Sequence, residues 1–207
     1  MAENTFFDIA PYDNDLQGVA DKFNITTLVD YERYCRDNQL WDQMEACYLE
    51  DSEVNISWFK GTGKEFVDIS RHSPKAKHKL FNTVIWQRGD KALAETMASM
   101  FAPRVEVDGT EVDQIAYSKL LYRVEKRDGV WKVKGLECIY ERDSIVPVIP
   151  SDMKMDKSEF ENFRDSYKTL CYMLGVNGKE SRQDLAGDDI PESVQKVYEA
   201  ANEWLMA

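Results

Sequence analysis

Apolar residues recur at helical spacing in the first quarter of the chain. Four of them lie three or four residues apart and predict one face of an amphipathic helix over 24–37: Ile25, Leu28, Tyr31 and Cys35. After a polar break, the segment from Leu40 to Tyr48 predicts a second, short helix. Two helices therefore open the fold.

The middle of the chain changes to an alternating pattern, which is typical of half-buried strands. Val54 to Trp58 predicts a strand, and Lys64 to Arg71 predicts a short helix. Four longer alternating segments follow, separated by tight polar turns: Lys77–Gln87, Ala92–Val107, Ile115–Lys126 and Val130–Glu141. Turns of this length predict long antiparallel hairpins.

Helices followed by a meander of strands predict the α+β class, with a curved antiparallel sheet packed against the N-terminal helices and a cavity between them. The composition changes at Pro150, which we take as a boundary between a domain of residues 1–150 and a helical extension of residues 151–207. Lys157–Leu174 and Pro191–Met206 read as amphipathic helices. They are expected to cover the cavity as a lid or to pack on a neighbouring subunit.

Composition narrows the range of functions. The 207 residues are 43 % hydrophobic and 12 % aromatic, which excludes wholesale disorder. The formal net charge of −12 repels phosphate backbones and anionic lipids, so we expect neither a nucleic acid nor a membrane as partner. The acidic N-terminus lacks the pattern of a signal peptide, which predicts a cytoplasmic protein. The four cysteines form no metal-binding or disulfide pattern.

Two histidines limit the choice of a general base. His72 falls in an exposed turn, where a histidine usually has no chemical role. His78 opens the first long strand, and a period of two places it on a face with Leu80 and Trp86. If that face lines the cavity, His78 is the candidate base. The alternative is a packed strand-end histidine that is bonded to a backbone carbonyl.

A histidine base needs a carboxylate that fixes its tautomer and stabilises the imidazolium. Asp37 lies at the C-terminal end of the first helix, where the helix dipole disfavours an acid, so a local partner is expected. An Asx turn is the alternative. Tyr34 and Tyr117 are candidate hydroxyl donors to a developing enolate, although a tyrosine in such a position is more often a core aromatic.

Large side chains on the strands are candidates for the pocket or for the surrounding core. Alternation alone does not assign them to a face of the sheet. They are Trp58, Trp86, Met97, Phe101, Tyr122 and Tyr140.

Five short motifs follow one another between Ile25 and Asp143: Ile25-x-x-Leu28, Tyr34 to Asp42, His78 with Asn82 to Ile85, Gly89 to Ala92, and Gly129 to Val133. In this order and spacing they resemble the SnoaL-like branch of the nuclear transport factor two-like superfamily. That branch includes polyketide cyclases, scytalone dehydratase, bile-acid dehydratases and a dehydrochlorinase.

The resemblance implies a cone-shaped α+β barrel, a deep and mostly apolar pocket, and a homo-oligomer, either trimer or dimer. In several enzyme members an aspartate near the end of the first long helix pairs with a histidine at the start of the long strand, and the pair abstracts a proton from carbon. Asp37 and His78 fall on those positions. Glu32 falls where bile-acid dehydratases carry a pocket tyrosine. Their arginine on the last strand has no counterpart beside Cys138 and Tyr140, so an acyl-carrier conjugate is not indicated.

We therefore expect a lyase or isomerase of the dehydratase type, without a cofactor or a metal, that acts on a small and largely apolar carbonyl compound, such as a cyclic one. The alternative is a non-catalytic module of the same fold for ligand binding or protein association. A bonded histidine–carboxylate pair beside an enclosed cavity favours the enzyme. A filled cone with His78 bonded to backbone favours the module.

Overall fold

The computed structural model describes residues 6–12, 15–73 and 76–207, and within them six strands form one mixed sheet. The strands are β1 (Tyr48–Ile56), β2 (Phe59–Gly61), β3 (Lys77–Arg88), β4 (Lys91–Val107), β5 (Thr110–Arg127) and β6 (Val130–Pro147). The helices are α1 (Leu16–Asn38), α2 (Trp41–Ala46), α3 (Gly63–Ser70), α4 (Lys168–Val176) and α5 (Pro191–Met206). The predicted α+β class, with helices packed on a curved sheet, is confirmed.

The strand order in the sheet is β2-β1-β6-β5-β4-β3. The strands β3 to β6 form the predicted antiparallel meander, whereas β1 pairs with β6 in parallel, so the sheet is mixed. Asp108-Gly109 and Asp128-Gly129 both adopt positive φ, which is the geometry of tight hairpin turns that match the twist of the strands.

Extra residues in individual strands bend the sheet. The pairing of β3 with β4 shifts between Leu80 and Thr83, because β3 carries one more residue there than β4. Similar shifts occur in β4 after Ala102 and in β6 opposite Tyr117 and Ser118. After each extra residue, the side chains that would have faced one side of the sheet face the other side.

Helix α1 begins earlier than predicted, because Asp15 caps it by accepting a hydrogen bond from the Gly18 N–H at 2.7 Å. Two buried acids hold this helix on the sheet. Asp21 accepts bonds from Trp131 Nε1 at 2.9 Å and Lys126 Nζ at 2.8 Å. Glu32 accepts bonds from the hydroxyls of two core tyrosines, Tyr48 and Tyr122. These anchors fix the position of the helix end.

The C-terminal extension covers both faces of the sheet. The segment predicted as one helix over Lys157–Leu174 divides into a 3-10 helix, Lys157–Phe160, and α4. Side chains of α4, including Leu170 and Leu174, join the main core between the sheet and α1. Helix α5 packs on the opposite face of the sheet, where its Leu205 lies in one apolar cluster with Leu93 of β4. No helix of the described residues is long and apolar enough to cross a membrane.

Candidate active site

His78 and Asp37 form a bonded pair at the start of β3. The Nδ1 atom of His78 lies 2.7 Å from Asp37 Oδ1, and the His78 backbone N–H donates to Asp37 Oδ2 at 2.6 Å. Each side chain is 12 % exposed. Because β3 is an edge strand, the outward N–H of His78 has no neighbouring strand, and the carboxylate satisfies it. The pair therefore joins the end of α1 to the edge of the sheet.

Electrostatics set the protonation states of this pair. Burial lowers the pKa of His78, and the hydrogen bond that its Nδ1 donates to Asp37 opposes this effect only in part. Burial alone would raise the pKa of Asp37, but its hydrogen bonds with His78 outweigh burial and lower it. At neutral pH the imidazole is thus neutral and the carboxylate ionised. A proton on Nδ1 then faces Asp37 and leaves Nε2 with a free lone pair.

A cavity of about 140 Å³ lies beside His78, between the concave face of the sheet, α1, α3 and α4. It exists because the inner faces of β4 and β5 carry small side chains where larger ones would fill the space. These are Ala98, Ala102, Ala116 and Ser118. Most of the remaining wall is apolar: Ile56, Trp58, Phe66, Met100, Leu120, Leu136, Leu170, Met173 and Leu174. A pocket of this type holds a small, largely apolar molecule.

A few polar groups interrupt this wall. The Tyr140 hydroxyl accepts a hydrogen bond from the Ser57 N–H at 2.9 Å. Arg36 and Gln114 also line the cavity. Burial raises the pKa of the Cys138 thiol to about 11, so this lining cysteine is protonated at neutral pH. No group of three or more His, Cys, Asp and Glu side chains in the described part of the chain is arranged to hold a metal ion.

Three predicted site residues meet at the cavity. His78, Trp58 and Tyr140 line it, and Asp37 is bonded to His78 behind the wall. The second histidine, His72, is exposed. The structure thus brings together the candidate base and the carboxylate that the sequence predicted as its partner.

Two predicted site residues on the strands face the other side of the sheet. Trp86 packs on Phe7, with ring centroids 4.6 Å apart, because the extra residue between Leu80 and Thr83 reverses the faces of β3. Met97 is adjacent to the cavity-lining Ala98, so alternation turns it outward and leaves it 44 % exposed. Neither residue contributes to the cavity.

The remaining predicted polar groups also lie outside the cavity. Tyr34 is 57 % exposed on the outer face of α1. Tyr117 is exposed on the outer face of β5, with the Arg142 guanidinium 5.9 Å from its ring centroid. Glu32 is buried, but Arg33, Tyr48 and Tyr122 surround its carboxylate. The expectation that these three residues contact substrate directly is therefore not supported by their positions.

Arg36 and Gln114 are cavity residues that sequence reasoning missed. The buried face of α1 runs through Asp21, Ile25, Val29 and Arg36, whereas the predicted face included Tyr31, which is exposed. Arg36 lies seven residues after Val29 on that face, and this spacing was the available signal. Gln114 lies two residues before Ala116 on β5, so the two side chains share a face of the sheet.

Comparison with known proteins gives relatives among fungal proteins. An uncharacterized protein of Emericella nidulans is 25 % identical over 189 residues, which is 82 % of this chain and 79 % of that protein. Pea pathogenicity protein 2 of Fusarium vanettenii is 25 % identical over 146 residues, which is 66 % of this chain and 62 % of that protein.

Solved structures share the fold. A type 2 hexachlorocyclohexane dehydrochlorinase (LinA) aligns with a TM-score of 0.58 and 19 % identity, over 68 % of this chain and 100 % of that one. A putative scytalone dehydratase from Novosphingobium aromaticivorans aligns with a TM-score of 0.51 and 19 % identity, over 67 % and 91 %. The family model described as a SnoaL-like domain matches residues 17–137, more than half of the chain. The chain therefore belongs to the SnoaL-like family of the nuclear transport factor two-like superfamily, as its motifs predicted.

Proposed function

We propose that the protein is a lyase or isomerase of the dehydratase type that works without a cofactor. In this proposal His78, held by Asp37, removes a proton from the carbon next to the carbonyl group of a small, largely apolar, cyclic substrate. The observation that carries the proposal is the 2.7 Å contact between His78 Nδ1 and Asp37 Oδ1, beside a cavity that His78 itself lines.

The first step is proton transfer from carbon to His78 Nε2. Within the described residues Nε2 has no hydrogen-bond partner, so its lone pair is available to a molecule in the cavity. The electron pair of the broken C–H bond moves into an enolate, while the new imidazolium is stabilised by the carboxylate of Asp37. The lowered pKa of His78 keeps the imidazole in its basic form at neutral pH.

The enolate oxygen needs a donor, and the position of Tyr140 supports this role. Its hydroxyl oxygen accepts the bond from Ser57 N–H, and its own proton faces only the weak acceptor Cys138 Sγ, which a bound oxygen atom can replace. The enolate then expels a hydroxyl group from the neighbouring carbon, and the Nε2–H of His78 protonates it to give water. Return of that proton to a different carbon gives an isomerisation instead.

The names of the structural neighbours favour elimination. One is a putative dehydratase and another is a dehydrochlorinase, and both names describe loss of a small group from a carbon skeleton. Sequence identity below 25 % supports a shared fold but not a shared reaction. The proposal of an elimination in this protein therefore rests on the His78–Asp37 pair and on the cavity.

Proton abstraction can be tested without knowing the natural substrate. Deuterium incorporation into 2-indanone, a compact cyclic ketone, is followed by NMR in D₂O. Since a positioned base contributes about 10²- to 10⁴-fold, His78→Ala should slow the protein-catalysed exchange by about that factor. The matched control is His72→Ala, which removes the exposed histidine and should leave the rate unchanged. A wild-type rate no faster than that of His78→Ala would contradict the proposal and favour a binding module.

A further inference from the structure

The cavity contains a positive charge without a balancing partner. Arg36 is only 8 % exposed and lines the cavity from α1. The carboxylates beside it are engaged elsewhere: Glu32 pairs with Arg33, and Asp37 accepts both of its bonds from His78. No carboxylate of the described residues lies within ion-pair distance of the Arg36 guanidinium. Its close neighbour is an aromatic ring, since Phe66 lies 5.7 Å away.

A second cation faces the same space. Lys179, which follows α4, lines the cavity with its Nζ 4.3 Å from the ring centroid of Trp58. Burial lowers the pKa of Lys179, and the positive charge of Arg36 lowers it further. Burial also lowers the pKa of Arg36 to about 10, with the charge of Arg33 acting in the same direction. In the described residues the cavity wall has three cationic side chains, Arg33, Arg36 and Lys179, and no carboxylate.

An unused hydrogen-bond donor lies on the same wall. Gln114 is 1 % exposed, and its buried amide nitrogen has no partner among the described residues. Across the sheet, His78 is paired with Met100 and Met100 with Ala116, while Gln114 is two residues from Ala116 on β5. His78, Met100 and Ala116 thus form one row across three strands, and Gln114 is the next residue of β5 on the same face as Ala116.

Buried charges and donors without partners are costly, and a ligand that supplies their partners recovers that free energy. We propose that the cavity binds an organic acid whose carboxylate pairs with the Arg36 guanidinium and accepts a hydrogen bond from the Gln114 amide. The apolar wall holds the carbon skeleton. The inference defines the substrate class of the same cavity, and it rests on the proposed function only for the reaction that follows binding.

The net charge of the protein cannot explain a preference for an anionic ligand. With a net charge of −12, the molecule as a whole repels anions. A preference for a carboxylate over a neutral molecule of the same shape must then come from local cations such as Arg36 and Lys179. Arginine suits this role because its planar guanidinium matches a carboxylate with two parallel hydrogen bonds.

The test compares two probes of nearly equal size, benzoate and benzamide, by isothermal titration calorimetry at pH 7. Wild-type protein should bind benzoate at least about tenfold more tightly than benzamide, which corresponds to about 1.4 kcal/mol. Arg36→Met should abolish this preference, and Arg36→Lys, which keeps the charge, should retain part of it. Gln114→Leu should weaken benzoate binding about three- to tenfold, because it removes one donor.

Arg104→Met is the matched control, since this arginine is exposed on β4 and should leave the preference unchanged. Equal binding of benzoate and benzamide by the wild type would overturn the inference. A preference that survives in Arg36→Met would also overturn it. His78→Ala separates the two proposals: it should lose deuterium exchange and keep the preference for benzoate. If exchange does not depend on His78 while the benzoate preference does depend on Arg36, only the proposed reaction fails.

Discussion

Replacing Asp37 by asparagine tests the pair with a minimal change of shape. The carboxylate accepts two bonds from His78, one from the backbone N–H and one at Nδ1. Asparagine offers one acceptor oxygen and one NH₂ donor, so it can preserve only one of these bonds. If its NH₂ group faces Nδ1, the imidazole proton moves to Nε2, and the lone pair that should take a proton from carbon is lost.

The structure sets the expected size of both effects. A hydrogen bond to a charged group contributes about 1.5–3 kcal/mol, and Asp37→Asn loses one such bond at a site that is 12 % exposed. We therefore expect the free energy of unfolding to fall by about 2 kcal/mol. The rate of deuterium exchange should fall by about 10²- to 10⁴-fold, as for His78→Ala, because the tautomer required of the base is no longer favoured.

Urea unfolding at pH 7, followed by tryptophan fluorescence, measures the first effect, and NMR exchange with 2-indanone measures the second. Asp42→Asn is the matched control, because this aspartate pairs with Arg71 at 3.2 Å but its side chain is 92 % exposed. Its loss should stay below about 1 kcal/mol. The expected role of Asp37 is refuted if Asp37→Asn is no less stable than Asp42→Asn and catalyses exchange at the wild-type rate.

Two further outcomes follow from the cavity and from the pair. Ala116→Leu should fill the cavity, abolish benzoate binding in calorimetry and leave the thermal midpoint equal or higher. Ala46→Leu, at an exposed position of α2, should keep binding. Benzoate binding by Ala116→Leu would show that the ligand lies elsewhere. Burial lowers the pKa of His78 in the folded protein from its ordinary value of 6.5, so the unfolded chain binds a proton at a higher pH than the folded protein does. The free energy of unfolding should therefore fall as the pH drops below about 6.5. Urea midpoints from pH 8 to pH 5 measure this slope, which should be smaller in His78→Ala.

The pair was predictable because its two members lie at the ends of elements. A histidine that opens a strand and an acid at the unfavourable end of a helix each need a partner, whatever the details of packing. The order of helices, turns and long alternating segments likewise predicted the α+β fold. Strand β1 was predicted only as a strand, since nothing local in Val54 to Trp58 indicates its parallel pairing with β6.

The other side chains of the site were missed because of a local irregularity in β3 and because a purely hydrophobic pattern leaves polar residues out. One extra residue in β3 turns Trp86 to the side of the sheet away from the cavity, and nothing in the sequence between Leu80 and Thr83 indicates this irregularity. Arg36 and Gln114 have polar side chains, which a pattern of hydrophobic positions assigns to solvent. The alternating alanines at 98, 102 and 116 were the sequence signal for an unfilled interior, because small residues on adjacent strands leave space between sheet and helix.

The wall contributed by α4 has an evolutionary consequence. Met173 and Leu174 border the cavity but lie beyond residues 17–137, the part that matches the family model, whereas Asp37 and His78 lie within it. Substitutions in α4 can reshape the chamber without disturbing the bond between α1 and β3. Proteins of this family that differ in the segment after the matched domain would therefore differ in which molecules the cavity admits, while they keep the paired histidine and aspartate.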